Sequence, residues 1–394
     1  MISTDDLHIL CLSQTRELIE QNIEREHTAV ALDKSLCHSA LVASQVKYLQ
    51  RARTKLPSFY AARCIIPDRA FEQSSSEAAA VTKRIKGESV LELTCGLGVD
   101  AFALSKRFDR VVTLECNEEL AEVARENFRR LGADNIEVVT SRAEEYLARC
   151  REQFDWIYAD PDRRSDDGRK VVVLEECSPN MLALRGAIAR VSARVAIKCS
   201  PMFDVDEAFR LYPGSMVEIL SVADECKELV IYTPGADGRE MIGATAVGRG
   251  EVWVDRAAGS APHTPHFNPE SYTHLLIPDV ALQKGRIARR LLAEVCDIWS
   301  DNGYGLIDEA RVANIEKNRH IARVEQIEWI GAYDTKPLRR ILAERGIDRA
   351  QIMKRDFPHS VERITKQLKI REGGVRRVVF TTVASRQIAI ILKE

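Results

Sequence analysis

The sequence predicts an α/β protein: a mostly parallel sheet with helices on both faces, preceded by a helical region and followed by small α+β domains. Three observations carry that expectation. Residues 1–60 space their apolar side chains by three and four and contain no strand-like run. From Ser89 onward, short apolar runs alternate with amphipathic stretches, and after Pro234-Gly235 that alternation gives way to paired strands and a linker. A chain of 394 residues exceeds one core, and the expected divisions are 1–70, 71–235, 236–330 and 331–394.

Taken in order, "TRELIEQNIE" and "SALVASQVKYLQRARTKL" read as helices, and Pro57 and Pro67 then interrupt the pattern. In "FEQSSSEAAAVTKRI", Ser74 and Glu77 have the spacing of a capping box opening an Ala-rich helix. "SVLEL", "RVVTLE", "IEVVT", "FDWIYAD" and "VAIKC" are strands separated by a glycine loop with helix "DAFALSKRF", then by helices "EELAEVARENFRRLG", "AEEYLARC" and "PNMLALRGAIARV". Such alternation makes a parallel sheet, and "MVEILSV" with "KELVIYT" adds a closing antiparallel hairpin, seven strands in all. Next come two strands in "GATAVGRGEVWVD", a linker "GSAPHTPHFNPES" and one helix "ALQKGRIARRLLAEVCDIW". The last 60 residues read as helix "KPLRRILAERG", strand "AQIMKRD", helix "SVERITKQL", a hairpin turning at Gly373-Gly374, and a final strand "QIAIILK".

Composition narrows the function. A hydrophobic content of 45% with 29% charged residues is ordinary for a water-soluble globular chain. No window approaches 18 apolar residues, so no membrane span is expected, and the acidic Asp5-Asp6 start lacks a signal peptide's basic region, which predicts a cytoplasmic protein. Ten cysteines stand singly with no C-x-x-C, which fits reduced thiols better than a zinc knuckle or a disulfide scaffold. His263-x-x-His266 sits in a Pro-rich stretch without further ligands nearby and reads as loop, so no metal is expected. The net charge of -2 is uneven: residues 335–394 carry 15 Lys/Arg and 6 Asp/Glu, a local +9, and the remainder carries -11. A basic module on an acidic body suggests a polyanionic partner.

The chemistry concentrates in two loops. In "VLELTCGLGVDAFAL", Gly96 and Gly98 permit a tight turn and close approach of a ligand to the backbone. Glu115, 19 residues after Gly96 at the end of the second strand, is placed to accept hydrogen bonds from both ribose hydroxyls of a nucleoside. The third glycine of a dinucleotide fingerprint is missing, with Ala101 and Phe102 in that region. The second loop, "ADPDRR", puts Asp160-Pro161 at the carboxyl end of the fourth strand.

Glu92 with Gly96-x-Gly98 resembles motif I of the class I S-adenosylmethionine-dependent methyltransferases, over about residues 70–235. The resemblance implies a Rossmann-like fold and S-adenosylmethionine as cofactor. Glu92, Thr94, Gly96 and Gly98 would line its methionine part, Asp100 would help seat its ammonium, and Glu115 would hold the ribose. Asn117, Arg142 and Ala143 would flank the adenine, although the family often carries an acidic residue where Arg142 stands. Enzymes of this class that methylate exocyclic amines end the fourth strand in (Asp/Asn)-Pro-Pro-aromatic, so Asp160 and the Pro161 carbonyl would orient the acceptor. Here Asp162 replaces the second proline and Arg163 the ring. This loop leaves the base-stacking role unassigned, with Tyr158 and Trp156 just upstream of it and Phe71 in the N-terminal approach.

The segments "FEQSSSEAAA", "LTCGLGVDAFALS", "ADPDRR", "IKCSPMFD", "DECKEL" and "RDFPHSVERITKQLKIREGGVRRVVFTT" together resemble a bacterial family of methyltransferase-like proteins with a ferredoxin-like segment and a THUMP-like C-terminal domain. THUMP modules are associated with structured RNA, so the resemblance implies an RNA partner, tRNA or rRNA. Gln73, Arg163, Arg164 and Lys198 would meet the substrate near the chemistry, and Arg355, Arg363, Lys366, Lys369 and Arg376 would hold its phosphates. "ECKEL" at 225–229 reads as charge pairing on a strand edge. Three other functions stay open: an RNA-binding protein with an inactive methyltransferase domain, a methyltransferase for a small molecule or protein, and a pyrimidine C5 methyltransferase using Cys199 as nucleophile.

Overall fold

The structure, a computed structural model, describes residues 2–162, 174–257, 266–318 and 320–394. The chain forms two compact units, Met1–Met216 with Glu228–Gly238, and Val217–Lys227 with Arg239–Glu394.

In the first unit the parallel strands are β1 (Gly87–Glu92), β2 (Phe108–Glu115), β3 (Ile136–Thr140), β4 (Trp156–Ala159) and β5 (Val195–Cys199). They lie in the order β3-β2-β1-β4-β5. The order reverses between β1 and β4, and the crevice outside the carboxyl ends of those two strands is where such sheets bind ligands. β6 (Met216–Val222) runs through a two-residue turn, Ala223 and Asp224 with φ 50° and 61°, into β7 (Glu225–Thr233). The part of β7 that belongs to the first unit pairs antiparallel with β5, Leu229 opposite Cys199 and Thr233 opposite Val195.

Helix Glu118–Leu131 covers this sheet because its apolar residues share one face, burying Ala121, Val123, Ala124 and Phe128. Asn117 starts it by accepting from the Leu120 N–H at 2.7 Å, and Gly132 ends it in the left-handed region at φ 63°. The N-terminal helices, including Ser13–Asn22 and Ser39–Lys55, bury Leu49, Phe59, Ile66 and Phe71 in a core continuous with Leu97, Val99, Ala103 and Val123 of the sheet domain. The capping box expected from Ser74 is shifted by two residues. Ser76 caps helix Glu77–Ala80, while Glu77 turns away to accept from the Ser58 and Phe59 amides.

The second unit places β6 beside β8 (Met241–Ala246), and β8 pairs antiparallel with β9 (Gly250–Asp255). A separate seven-stranded sheet follows, from β10 (His274–Pro278), β11 (Asp297–Ile298), β12 (Gly305–Ile307), β13 (Ala322–Ala332), β14 (Arg349–Lys354), β15 (Arg371–Val383) and β16 (Arg386–Leu392). Its order is β11-β12-β10-β13-β16-β15-β14. One face is filled by Leu338, Leu342, Ile364, Leu368 and Phe380, mostly from helices Thr335–Glu344 and Val361–Leu368 and the strand beneath them, and the other by Tyr272, Leu275, Leu306 and Ile390.

Two local expectations are corrected here. The single helix over residues 281–299 is two short ones, Val280–Lys284 and Ala288–Leu292, divided where Arg286 takes φ 54°. Gly373-Gly374 do not turn a hairpin. Ala350 pairs with Glu372 but Gln351 with Arg377, so the glycines, at φ 101° and 86°, lie in a bulge inside β15. The hairpin closes at Ala384-Ser385, φ 47° and 64°, with Val383 opposite Arg386. Among the described residues no helix is long and apolar enough to cross a membrane, and no three His, Cys, Asp or Glu side chains are placed to hold a metal ion together. His263 falls outside the described residues.

Candidate active site

The loop after β1 is held open by its own chemistry. Gly96 takes φ 54°, and a Cβ built there would meet no atom within 4 Å, so its backbone borders free space. Gly98 takes φ 85°, and a Cβ there would lie 2.5 Å from the Phe128 ring. Gly98 therefore serves the close packing of loop against helix, and Gly96 the open side. Glu115 is fixed by two backbone donors, the Gly96 N–H at 2.9 Å to one oxygen and the Asn117 N–H at 2.9 Å to the other. Glu115 and the glycine loop are thus joined by hydrogen bonds.

Glu92, at the end of β1, is wholly buried. One of its oxygens accepts from the Thr113 hydroxyl at 2.5 Å, and the other has no hydrogen-bond partner among the described residues. Burial pushes its carboxyl well above the usual range. Asp100, in the first turn of helix Val99–Leu104, also keeps one buried oxygen without a hydrogen bond among the described residues. Its burial would raise its pKa, but Lys198 and Lys83 outweigh that and hold it below the ordinary value. Two buried carboxylate oxygens without hydrogen-bond donors among the described residues, beside an open glycine turn and the fixed Glu115 carboxylate, suit a ligand that brings an ammonium and hydroxyl groups.

Asp160 extends β4 into the same crevice. Its N–H donates to the Thr94 hydroxyl at 2.8 Å, which ties the β4 loop to the β1 loop. Its Oδ2 accepts from the Lys198 ammonium. Pro161 is buried, and the Asp162 and Ser178 backbones exchange hydrogen bonds at 2.7 and 3.1 Å. Lys198 lies on β5, every residue of which is buried, so its charge must be met inside the protein. Besides Asp160, it donates to the Ser75 hydroxyl at 2.8 Å and lies 3.8 Å from Asp100 and 4.0 Å from Glu228. Burial alone would lower the Lys198 pKa, but Asp160, Asp100 and Glu228 together raise it. Lys83 completes the cluster, paired with Glu228 and 3.8 Å from Asp100.

Several expected residues sit elsewhere. Lys198, expected to grip substrate, is committed to this buried cluster. Glu228, expected on a strand edge, is buried beneath it, while Lys227 and Glu225 make the exposed pair. Asn117 spends its side chain capping a helix, Ala143 is the buried first residue of helix Ala143–Arg149, and Arg142 is exposed, 3.8 Å from Glu144. Gln73 is exposed at the end of helix Asp68–Gln73. Phe71 and Tyr158 are fully buried and present no stacking face. Cys199 is buried, its sulfur 3.8 Å from the Ile197 carbonyl oxygen. Arg163 and Arg164 fall outside the described residues. Sequence reasoning misses Ser75, Lys83 and Glu228; the only signal is polar residues next to segments that read as apolar helix and strand.

In the C-terminal domain the predicted phosphate-binding residues divide. Arg363, Lys366 and Lys369 are exposed on helix Val361–Leu368 and its cap. Arg376 pairs with Glu328, and Arg355 is part-buried, donating to the Pro278 carbonyl at 3.0 Å with its guanidinium 4.9 Å from the Tyr304 ring centre.

Comparison with known proteins agrees with this fold. A methyltransferase-domain family model matches residues 90–197, and a THUMP domain-like model matches residues 322–394. The chain carries a methyltransferase domain and a THUMP-like domain. A Mycobacterium tuberculosis (strain H37Rv) protein named uncharacterized S-adenosylmethionine-dependent methyltransferase is 24% identical over 347 residues, covering 85% of this chain and 90% of its own. Ribosomal RNA small subunit methyltransferase J of Coxiella burnetii is 30% identical over 127 residues, 28% of this chain and 49% of that one. In fold, the crystal structure of a proposed methyltransferase from Porphyromonas gingivalis W83 superposes over 100% of this chain and 99% of its own with a TM-score of 0.80 at 22% identity.

Proposed function

We propose that this S-adenosylmethionine-dependent methyltransferase acts on a base nitrogen of structured RNA, with Asp160 orienting the acceptor. The observation that carries the reading is Asp160 itself: a carboxylate just past the carboxyl end of β4, one oxygen bound by Lys198, in a loop tied to the glycine loop through Thr94. RNA as the substrate is supported by the THUMP-like domain, by the exposed Arg363, Lys366 and Lys369, and by relatives whose names specify RNA. Besides the Coxiella rRNA enzyme, these include a Thermosynechococcus vestitus protein named uncharacterized RNA methyltransferase, 29% identical over 115 residues.

Glu92, Asp100, Gly96 and Glu115 would hold the cofactor, which supplies an electrophilic methyl group. What remains for the chain is to hold and align the acceptor. Asp160 accepts a hydrogen bond from the acceptor N–H, and the Pro161 carbonyl supplies a second acceptor beside it. Together they fix the direction of the nitrogen lone pair and stabilise the positive charge that grows on nitrogen. The test is mass spectrometry of nucleosides from rRNA and tRNA of cells with and without the gene. A methylated nucleoside absent from the deletion strain, and restored by the wild-type gene but not by Asp160→Ala, is the expected result. An unchanged nucleoside profile in both fractions refutes the RNA reading.

A further inference from the structure

We infer that Lys198 and Ser75 form a positioning relay that spans the active site, joining the Asp100 carboxylate on the cofactor side to the Asp160 carboxylate on the acceptor side. Four side chains from four segments make it continuous. Ser75 donates to Asp100 at 3.0 Å and accepts from Lys198 at 2.8 Å, and Lys198 in turn binds Asp160 Oδ2. Asp100 belongs to the helix after β1, Lys198 to β5, Asp160 to the end of β4, and Ser75 to the N-terminal region between helices Asp68–Gln73 and Glu77–Ala80. The helical segment before β1 thereby contributes a residue to the site.

The relay explains a choice that stability does not. A lysine buried among Asp100, Asp160 and Glu228 carries a desolvation penalty that an apolar residue on β5 would avoid. What the arrangement provides is orientation. With Oδ2 held by Lys198, and no hydrogen bond to Oδ1 among the described residues, Asp160 has one oxygen for the protein and one for an acceptor. Lys83 and Glu228 brace the relay from behind, Lys83 also donating to the Ala79 carbonyl at 3.1 Å. Lys198 is therefore a positioning residue acting through Asp160, and Ser75 positions Lys198.

The inference rests on the role proposed for Asp160, and two measurements separate them. Methyl transfer into total RNA from the deletion strain is followed for wild type, Lys198→Met and Lys198→Arg. Removal of the ammonium should lower kcat by about 10²-fold or more, a larger factor than any weakening of S-adenosylmethionine binding through Asp100, and Arg should recover part of the loss. A merely structural lysine would instead lower the folded fraction and leave turnover per folded molecule unchanged. Independently of any substrate, NMR of 15N-lysine-labelled protein should show a slowly exchanging Lys198 ammonium signal that shifts in both Ser75→Ala and Asp160→Asn. If wild type transfers no methyl to RNA while those shifts appear, the RNA reading fails and the relay stands. A Lys198 signal indifferent to both substitutions, or full kcat in Lys198→Met, overturns the relay.

Discussion

The methyltransferase domain and the THUMP-like domain use basic residues in opposite ways. In the first, Lys83 and Lys198 are buried and converge with Asp100, Asp160 and Glu228 on one point. In the second, basic residues spread over a surface where many are already matched. Arg345 and Arg376 both meet Glu328, Arg377 grips Glu325 with two bonds of 2.6 and 3.0 Å, and Arg371 meets Asp348. Glu325 and Glu328 lie on β13, just outside the stretch whose charge sums to +9. Net charge over a window of sequence therefore overstates what a polyanion meets. A strand paired from elsewhere neutralises part of it, and only the residues facing outward remain.

The sharpest way to break that contrast is Asp160→Ala. If the buried cluster serves chemistry, methyl transfer should fall by about 10²–10⁴-fold. Retention of both RNA and cofactor in equilibrium binding would show the loss lies in the reaction. An Asp160→Ala enzyme that turns over like wild type would make the cluster a structural feature only.

Next in size are the neighbouring glycines of the first loop. Gly98→Val drives a side chain into the Phe128 ring from a left-handed backbone, and should cost about 2–4 kcal/mol in denaturant unfolding, with loss of cofactor binding. Gly96→Ala meets no atom and should cost only about 1 kcal/mol of backbone strain. Equal destabilisation by the two would contradict the division between packing and open side. Glu115→Ala comes third: removing the acceptor that holds the Gly96 and Asn117 amides should weaken cofactor binding by about 1–3 kcal/mol in calorimetry.

The same contrast sets how much is legible in the sequence. The parallel strands, the glycine turn and the position of Glu115 can be read because each has a local signature: alternating runs, a spacing, an acid at a strand end. The Lys83–Glu228–Lys198 cluster cannot, because its members are 30 to 145 residues apart and nothing local marks a lysine on a strand as buried. Glu228 looks like an edge charge because its exposed neighbours, Glu225 and Lys227, are one. Gly373-Gly374 mislead for a related reason. A glycine pair signals positive φ, and both residues have it, but a bulge and a hairpin turn make the same demand. The actual turn, Ala384-Ser385, carries no such residue type.

The smallest expected effect tests the THUMP-like surface directly. Arg363, Lys366 and Lys369 share one exposed helix and its cap, with no ion pair among the described residues, whereas Arg377 is held by Glu325. If outward-facing cations bind phosphate, replacing those three with Gln should flatten the salt dependence of RNA binding by roughly 0.7–0.9 for each phosphate no longer neutralised. Their stability should stay within about 0.5 kcal/mol of wild type, since their charged ends make no ion pair among the described residues. Arg377→Gln should do the reverse: little change in the salt slope, and a loss of up to about 1 kcal/mol in unfolding free energy from the broken, part-buried pair. Neither change should alter affinity for the cofactor, whose candidate residues all belong to the first unit. A triple variant with an unchanged slope would mean that RNA, if bound, is held by other residues. An Arg377→Gln variant with a strongly reduced slope would mean that pairing with Glu325 does not keep an arginine from binding phosphate.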